Sequence, residues 1–278
     1  MTFVIAVCCI IAMVFGYFKM NAADSSPLRI GIDVMPYQTF TARQDRFIPK
    51  IIWRTSKYEL HEAPQQIQDS LRRTASMNPD YTQVYLSDKG ILDFVTKEFP
   101  QYLRQYNSLI PGAYRADLFR LLVLHKYGGV YNDIGHEYLC PLSEIISFGD
   151  EFVAGTEDNK QGSFQHAMHN SFLAAYPGNP LVWTMIECSM EDVAMCGYNS
   201  DPLDITGPAA LGHAFNVWKA MQKTDRHAAF TGYNDKIPRG SAVIHGMQIK
   251  TLSHDAQNHK LLLQGKAVIS TKFPGYYK

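Results

Sequence analysis

One stretch constrains the fold of this chain more than any other, and it runs from Leu109 to Tyr138. Its leucine-rich part leaves almost no polar face, which predicts a deeply buried helix over about residues 113–127. The glycine pair at 128–129 then suits a helix end and a sharp turn. Residues 130–134 predict a short strand that ends on Asp133. Open α/β sheets bind ligands at the C-terminal ends of their strands, so Asp133 is the first candidate site residue.

Two charged side chains, Asp117 and Arg120, interrupt the apolar surface of the predicted helix. They are three residues apart and therefore share one face. One interpretation is an ion pair on the helix surface, which contributes only a few tenths of a kcal/mol. The other is a functional pair, because a buried ion pair is costly unless another group uses it.

Strands and helices alternate along the first half of the chain. Ile51 and Ile52 suit a first buried strand that ends at Trp53, and Pro64 suits the first turn of a helix. Further strands are expected at 81–86, 152–154, 242–245 and 267–270. This alternation predicts the α/β class with a largely parallel sheet, in one domain over residues 46–278.

The N-terminal residues suggest a membrane attachment. Residues 3–18 carry no charge and Lys19 follows them. As a helix they would span roughly 24 Å, somewhat less than the bilayer core of about 30 Å. A secretory signal peptide normally has a basic start, which is missing here, so a cleaved signal is the weaker alternative. We expect a retained single-pass anchor (1–20), a stem (21–45), a type II orientation and, in a eukaryote, residence in the lumen of the endoplasmic reticulum or Golgi.

Composition and missing motifs exclude several classes of function. The 26 basic and 26 acidic side chains balance, which argues against a nucleic-acid partner. The sequence has no GxGxxG, Walker, GxSxG or HExxH motif, which argues against dehydrogenases, P-loop NTPases, α/β-hydrolases and zincins. His166 and His169 are three residues apart but have no third ligand at a suitable spacing, so a zinc site is not expected.

Four segments between Phe47 and His213 resemble glycosyltransferase family 32. They are IPKIIWRTSK, RADLFRLLVLHKYGGVYNDIG, NSFLAAYPGNP and TGPAALG, and the order D-x-x-R, GG-x-Y and a following Asp is the specific part. That family contains fungal α-mannosyltransferases and sphingolipid mannosyltransferases, and it is similar to the catalytic domains of clostridial glucosylating toxins. The resemblance implies a GT-A fold. It also implies a hexosyltransferase that retains anomeric configuration, with GDP-mannose or a UDP-hexose as donor and a glycan, lipid or protein as acceptor.

The resemblance also implies roles for individual residues. Asp117 and Arg120 match the pair that hydrogen-bonds the donor hexose, and Asp133 matches the first Asp of the DXD motif. These three are the expected catalytic residues. Trp53 matches a position near the base, although a Trp at a strand end is also a common core residue. The donor-binding residues implied in this way are Trp53, Arg115, Asp117, Arg120, Tyr131, Asn132, Asp133, Asn170, Thr206, Gly207, Pro208 and Lys272.

The sequence departs from the family pattern at two places. Gly135 replaces the second Asp of DXD, which normally ligates the metal. The expected Mn²⁺ or Mg²⁺ would then depend on Asp133, the donor diphosphate and water, with help from His136 or Glu137. The family's C-terminal His and Trp are also replaced, and Lys272 is a candidate for part of the missing positive charge. Because of Gly135, the alternative function is a degenerate nucleotide-sugar or glycan-binding protein.

Overall fold

A computed structural model describes residues 46–109, 112–158, 166–196, 206–221 and 237–272. The predicted membrane anchor (1–20) and stem (21–45) lie outside these ranges. Within the described ranges, no helix is both long and apolar enough to cross a bilayer.

The described residues form ten strands and seven α-helices. The strands are Ile51–Thr55 (β1), Thr82–Leu86 (β2), Gly129–Asn132 (β3), Glu137–Tyr138 (β4), Phe152–Asp158 (β5), His166–Ala175 (β6), Gly240–Ile244 (β7), Met247–Asp255 (β8), Lys260–Leu263 (β9) and Lys266–Ser270 (β10). The helices are Gln65–Met77 (α1), Asp88–Glu98 (α2), Leu103–Ser108 (α3), Gly112–Tyr127 (α4), Leu142–Ile145 (α5), Pro180–Cys196 (α6) and Pro208–Met221 (α7).

The strands form one mixed sheet in the order β2-β1-β3-β6-β5-β8-β9-β10-β4, with β7 paired to β8. Strand β1 is parallel to β2 and β3, and β5 is parallel to β8. The other pairings of described strands are antiparallel. The α/β class is therefore confirmed, but the prediction of a largely parallel sheet is wrong. Strands β7 to β10 are joined by short turns, and such turns connect antiparallel neighbours.

The parallel strands β1, β2 and β3 end at the same edge of the sheet, at Thr55, Leu86 and Asn132. Strand β6 runs antiparallel to β3, with Phe172 opposite Asn132. The first half of β6 therefore reaches this edge as well. Side chains from strands that are distant in sequence can meet here.

The middle of helix α4 is buried as predicted, with all seven residues from Leu118 to Leu124 buried, whereas both of its ends are partly or fully exposed. The glycine pair that follows has positive φ angles, 63° at Gly128 and 99° at Gly129. A Cβ atom on Gly129 would lie 2.6 Å from the carbonyl oxygen of Ile51, so the turn admits no larger residue without movement. After this sharp turn, β3 runs back along α4. The end of β3 therefore lies beside the middle of the helix, where the candidate site is found.

Candidate functional site

Helix α4 and strand β3 bring three charged residues to one place. From Gly129 to Asp133 the chain advances about 13 Å along the sheet, at roughly 3.3 Å per residue. A helix rises 1.5 Å per residue, so along α4 Arg120 lies about 10 Å from the glycine turn and Asp117 lies about 15 Å from it. The two residues therefore lie level with Asp133. Arg120 Nη2 lies 2.8 Å from Asp117 Oδ1 and 3.4 Å from Asp133 Oδ1.

Asp133 follows the last residue of β3 and keeps its carboxylate accessible. Its side chain is 38% exposed, and its backbone N–H donates to Ser171 O at 2.9 Å. The next residues form a turn rather than more strand, because His136 N–H donates to Asp133 O at 2.9 Å. A strand that continued through residues 133–137 would place Asp133, Gly135 and Glu137 on one side, but the chain turns here instead. The turn interrupts the two-residue alternation of side chains along a strand.

Asp117 is held by two further residues from distant parts of the chain. Asn170 Nδ2 donates to Asp117 Oδ1 at 2.9 Å, and Thr206 Oγ1 donates to Asp117 Oδ2 at 3.2 Å. The backbone oxygen of Asn170 also accepts from Arg120 Nη1 at 2.6 Å. Both carboxylate oxygens of Asp117 are therefore satisfied, and its orientation is fixed before any ligand arrives.

Thr206 reaches Asp117 because it precedes helix α7. The backbone oxygen of Gly207 accepts from Leu211 N–H at 3.2 Å, and Pro208 begins the helix, as proline often does. Thr206 and Gly207 are buried and Pro208 is partly exposed. The structure thus brings Asn170 and the Thr-Gly-Pro turn to the Asp117–Arg120 pair.

Burial and neighbouring charges set the protonation of this cluster. Burial raises the pKa of Asp117 to about 6; Arg120 opposes this effect and Asp133 adds to it. Burial lowers the pKa of Arg120, but Tyr131, Asp133 and Asp117 together outweigh it and raise the pKa above its ordinary value. Arg120 is only 5% exposed and stays cationic, with its guanidinium 4.6 Å from the centre of the Tyr131 ring.

Tyr131 and Asn132 are the last two residues of β3 and contact Arg120 and His136, respectively. Both are buried. The Tyr131 hydroxyl lies 3.1 Å from Thr55 Oγ1, and Asn132 Oδ1 accepts from His136 Nδ1 at 2.9 Å. These internal contacts allow the two side chains to hold Arg120 and the turn in place. A direct contact of either side chain with the donor stays a prediction.

The structure places Trp53 away from this edge. Trp53 is 5% exposed, donates from Nε1 to Gly128 O at 2.8 Å and stacks on Tyr127 with ring centres 5.8 Å apart. These contacts lie at the start of β3, whereas Asp133 follows its end. These contacts place Trp53 in the core, the second interpretation that the sequence offered, and a base-stacking role stays a prediction.

Arg115 also lies outside the cluster. Its Nε donates to Leu109 O at 2.8 Å, and its guanidinium lies 5.4 Å from the centre of the Tyr106 ring. Arg115 and Asp117 are two residues apart on a helix and therefore face different directions. A contact between Arg115 and the donor therefore stays a prediction.

Lys272 is exposed and follows strand β10. Ser270 of that strand pairs with Glu137, so Lys272 lies on the side of the sheet that carries the turn after Asp133. Residues 273–278 of the aromatic and basic tail lie outside the described part of the chain. A role for Lys272 near the diphosphate stays a prediction.

The described residues offer a divalent cation little more than one carboxylate. They contain no group of three His, Cys, Asp or Glu side chains arranged for a metal. Glu137 instead pairs with Arg73, at 2.6 Å. Burial lowers the pKa of His136 to about 3, so its ring is neutral and, with Nδ1 bound to Asn132, only Nε2 could ligate. Mg²⁺ and Mn²⁺ commonly bind through one carboxylate, water and substrate phosphates, so Asp133 fits a metal only if the ligand supplies phosphates.

A groove of about 470 Å³ lies between α1 and β4, and Ser70, Thr74 and Glu137 are among its lining residues. Asp117, Arg120 and Asp133 are not among them. The groove is therefore separate from the charged cluster, although Ser70 and Thr74 both bind a residue that supports the turn.

That residue is Arg54, which the sequence analysis overlooked. Arg54 is fully buried, and its guanidinium donates to Ile134 O at 2.9 Å and to His136 O at 3.2 Å. The available signal was a lone arginine within the buried strand IIWRT. Buried arginines are rare without a partner, so its position was informative.

The cluster is chemically suited to bind hydroxyl groups next to an anionic leaving group. Asp133 is an accessible acceptor, Arg120 is a fixed cation, and Asp117 keeps Arg120 in place. Such fixed charges act strongly in a site with little water.

Comparison with known proteins identifies this region. Residues 64–151 match a family model described as "Glycosyltransferase sugar-binding region containing DXD motif". The matched range contains Asp117, Arg120 and Asp133. The resemblance expected from the sequence is therefore confirmed for this part of the chain.

Two curated relatives are fungal mannosyltransferases. The chain is 32% identical over 102 residues to inositol phosphoceramide mannosyltransferase 3 of Schizosaccharomyces pombe, covering 37% of this chain and 28% of that protein. It is 31% identical over 134 residues to the initiation-specific alpha-1,6-mannosyltransferase of Candida albicans, covering 46% and 34%. The chain thus matches about a third or less of the length of these relatives.

Among solved structures, the chain is similar to one named PaToxG Glycosyltransferase. The identity is 21%, the TM-score is 0.45, and the likeness covers 60% of this chain and 68% of the other. A TM-score of this size adds nothing to the fold assignment, which rests on the strand order.

Proposed function

We propose that this chain is a hexosyltransferase that moves a sugar from a nucleotide-sugar donor to an acceptor hydroxyl. One observation carries the proposal: Arg120 contacts Asp117 and Asp133 together, and Asp133 remains accessible at the end of β3. The family match over residues 64–151 supports it, since the same three residues lie within that range.

The finer parts of the proposal follow from the relatives. Both relatives described above are named mannosyltransferases, which favours a mannose donor such as GDP-mannose over a UDP-hexose. Their names point to a lipid or a glycan as acceptor. We also propose a GT-A fold and retention of anomeric configuration.

Each residue of the cluster has a distinct part in the proposed reaction. Arg120 donates hydrogen bonds to hexose hydroxyls. Asp117 holds Arg120 in place and accepts from a sugar hydroxyl through Oδ2, which takes one described hydrogen bond and can take another. Because Asn170 and Thr206 fix Asp117 beforehand, little reorganisation is needed when the sugar binds. Asp133 faces the ribose and the diphosphate. The proposal assigns no general base to the protein.

A divalent cation, Mn²⁺ or Mg²⁺, is proposed at Asp133. When bound, such an ion stabilises the negative charge of a leaving diphosphate. The protein would supply Asp133 and, through Nε2, His136, while the donor phosphates and water complete the coordination. With Gly135 at the second DXD position, we expect weaker retention of the metal in the absence of donor.

A second candidate function is a sugar-nucleotide-binding protein without turnover. Gly135 and the lack of a three-residue metal group among the described residues favour it. The two functions differ in a single observable, because only the enzyme releases free sugar or transfers it.

The test begins with a panel of nucleotide-sugars, assayed with Mn²⁺, with Mg²⁺ and with EDTA. The true donor raises the melting temperature by mass action, and the enzyme also hydrolyses it slowly. Asp133→Asn keeps the shape of the side chain but removes its charge, and we expect turnover to fall about 10²- to 10³-fold.

Asp80→Asn is the matched control. Asp80 is an exposed carboxylate whose partner is Lys50, at 2.5 Å, far from the edge that carries Asp133. The control is expected to retain wild-type turnover. Wild-type turnover in Asp133→Asn would refute the assignment, and binding of a donor without any hydrolysis would favour the second function.

The N-terminal residues are proposed as a retained, single-pass membrane anchor with a type II orientation. The uncharged run of residues 3–18 supports this proposal. The full chain is expected to stay with membranes after alkaline extraction, and a chain that lacks residues 1–20 is expected to be released. Release of both chains would contradict the anchor.

A further inference from the structure

Arg54 is completely buried and, within the described ranges, forms no ion pair with an acidic side chain, although the charge of Asp133 acts on it. It lies in the middle of β1, between Trp53 and Thr55, and is 0% exposed. Its guanidinium donates four hydrogen bonds, all to neutral oxygens. Two go to the α1 hydroxyls, Thr74 Oγ1 at 2.8 Å and Ser70 Oγ at 3.1 Å. The other two go to backbone carbonyls in the turn after Asp133.

Stability of the core does not explain this arginine. Removing a charge from water is costly unless it is paired, and an apolar side chain of similar volume is often equally or more stabilising. Burial accordingly lowers the pKa of Arg54. The neighbouring β1 residues Ile52 and Trp53 show that this strand tolerates apolar side chains. The presence of a buried cation at position 54 therefore points to a role other than stabilising the core.

The two carbonyls that Arg54 binds flank Gly135. They belong to Ile134, at 2.9 Å, and His136, at 3.2 Å. The same turn is closed by His136 N–H donating to Asp133 O at 2.9 Å. Gly135 has no side chain with which to anchor the turn. Arg54 therefore fixes the turn from the inside, while Arg120 contacts the carboxylate of Asp133.

We propose that Arg54 is a positioning residue that fixes Asp133 for sugar transfer by holding the turn around Gly135. This inference rests on the function proposed above. Because Arg54 is fully buried, it does not touch the donor and contributes little to ground-state binding. A displacement of about 1 Å in a reacting group can cost about 10²-fold in rate, so the effect appears in kcat more than in KM.

The test compares two substitutions at Arg54. Arg54→Met has a similar length and removes the whole hydrogen-bonding fork. Since each hydrogen-bond partner of Arg54 among the described residues is a neutral oxygen, this change leaves none of them as an unpaired buried carboxylate, and we expect the variant to fold. Arg54→Lys keeps the charge but has a single donor centre, which cannot bind both carbonyls and both hydroxyls in the same way. Both variants are expected to lose about 10- to 100-fold in kcat, with a smaller change in donor KM.

Gln83→Met is the matched control. Gln83 is also buried in a neighbouring strand, and its Nε2 donates to Leu71 O of α1 at 3.0 Å. It makes no described contact with the turn. The control is expected to lose stability but to keep its kcat per folded molecule. An equal loss of kcat in Gln83→Met would overturn the proposal, as would full recovery of kcat in Arg54→Lys.

Hydrogen exchange supplies a readout that does not depend on activity. In Arg54→Met, the amide of His136 is expected to exchange at least about 10-fold faster, because its bond to Asp133 O opens more often. Amides of Thr82–Leu86, in strand β2, are expected to keep their rates. Unchanged exchange at His136, or a wild-type kcat in folded Arg54→Met, would overturn the proposal. If the wild-type protein hydrolyses no donor, the proposed function fails, and exchange at His136 still decides whether Arg54 holds the turn.

Discussion

Substitution of Asp117 by asparagine is expected to change how stability depends on pH. Asp117 is only 13% exposed, and burial raises its pKa from 3.8 to about 6. A shift of about 2 units corresponds to about 3 kcal/mol at 1.36 kcal/mol per unit. The folded state binds this proton more tightly than the unfolded state. The free energy of unfolding therefore gains about 3 kcal/mol as the pH falls through 6 to below 3.8, and this gain is lost as the pH rises.

Urea unfolding of the wild type and Asp117→Asn between pH 4.5 and 7.5 measures this contribution. The two proteins share all their other titrating groups, so the difference between their unfolding free energies isolates Asp117. That difference is expected to change by about 2 kcal/mol across this range, in favour of the wild type at low pH. Parallel pH profiles for the two proteins would refute the reasoning, because they would mean that Asp117 titrates alike in both states.

Two further predictions concern the turns at either end of β3. Burial lowers the pKa of His136 from 6.5 to about 3, so its stabilising contribution is present above pH 6.5 and falls by about 3 kcal/mol at pH 4.5. His136→Asn is expected to lose less stability than the wild type over that range in the same urea series, and equal losses would contradict this. Gly129→Ala is expected to cost at least about 2 kcal/mol, because its Cβ would lie 2.6 Å from Ile51 O at a φ of 99°. Gly178→Ala, with a φ of 72° and open space around it, is expected to cost only about 1 kcal/mol in thermal unfolding, and similar costs at both glycines would contradict the contact.

Local rules explain why the sequence located the centre of the site. The spacing of Asp117 and Arg120 depends only on the helix repeat, and the turn at residues 128–129 depends only on glycine conformation. A buried strand that follows such a turn must run back along the helix. The proximity of Asp117 and Arg120 to Asp133 therefore depends only on a short segment of the chain, and it can be predicted from the sequence.

The residues that hydrogen-bond to Asp117 could not be predicted from such local rules. Asn170 is 53 residues and Thr206 is 89 residues from Asp117 along the chain, yet both bind its carboxylate. The resemblance to a family pointed to these residues, but their hydrogen bonds depend on the pairing of β6 with β3 and on the packing of α7. Arg54 was missed for the same reason, since its partners belong to α1 and to the turn after Asp133.

The surroundings of Trp53 and Arg115 were also beyond the sequence, because residue type indicates what a side chain can bind, but not which side of the fold it faces. The error in the sheet has a physical cause as well. The sheet was expected to be largely parallel because the first strands alternate with helices, and strand direction in the second half depends on hydrogen bonds between distant segments.

By itself, the sequence determined the α/β class, the buried helix, the glycine turn and the aspartate at the end of the strand that follows this turn. These features depend on residues within one or two turns of each other. Only the tertiary structure decided which polar groups surround that aspartate, that Trp53 belongs to the core, and that Arg54 supports the turn. Each of these depends on contacts between segments far apart in the chain, and such contacts exist only once the sheet has assembled.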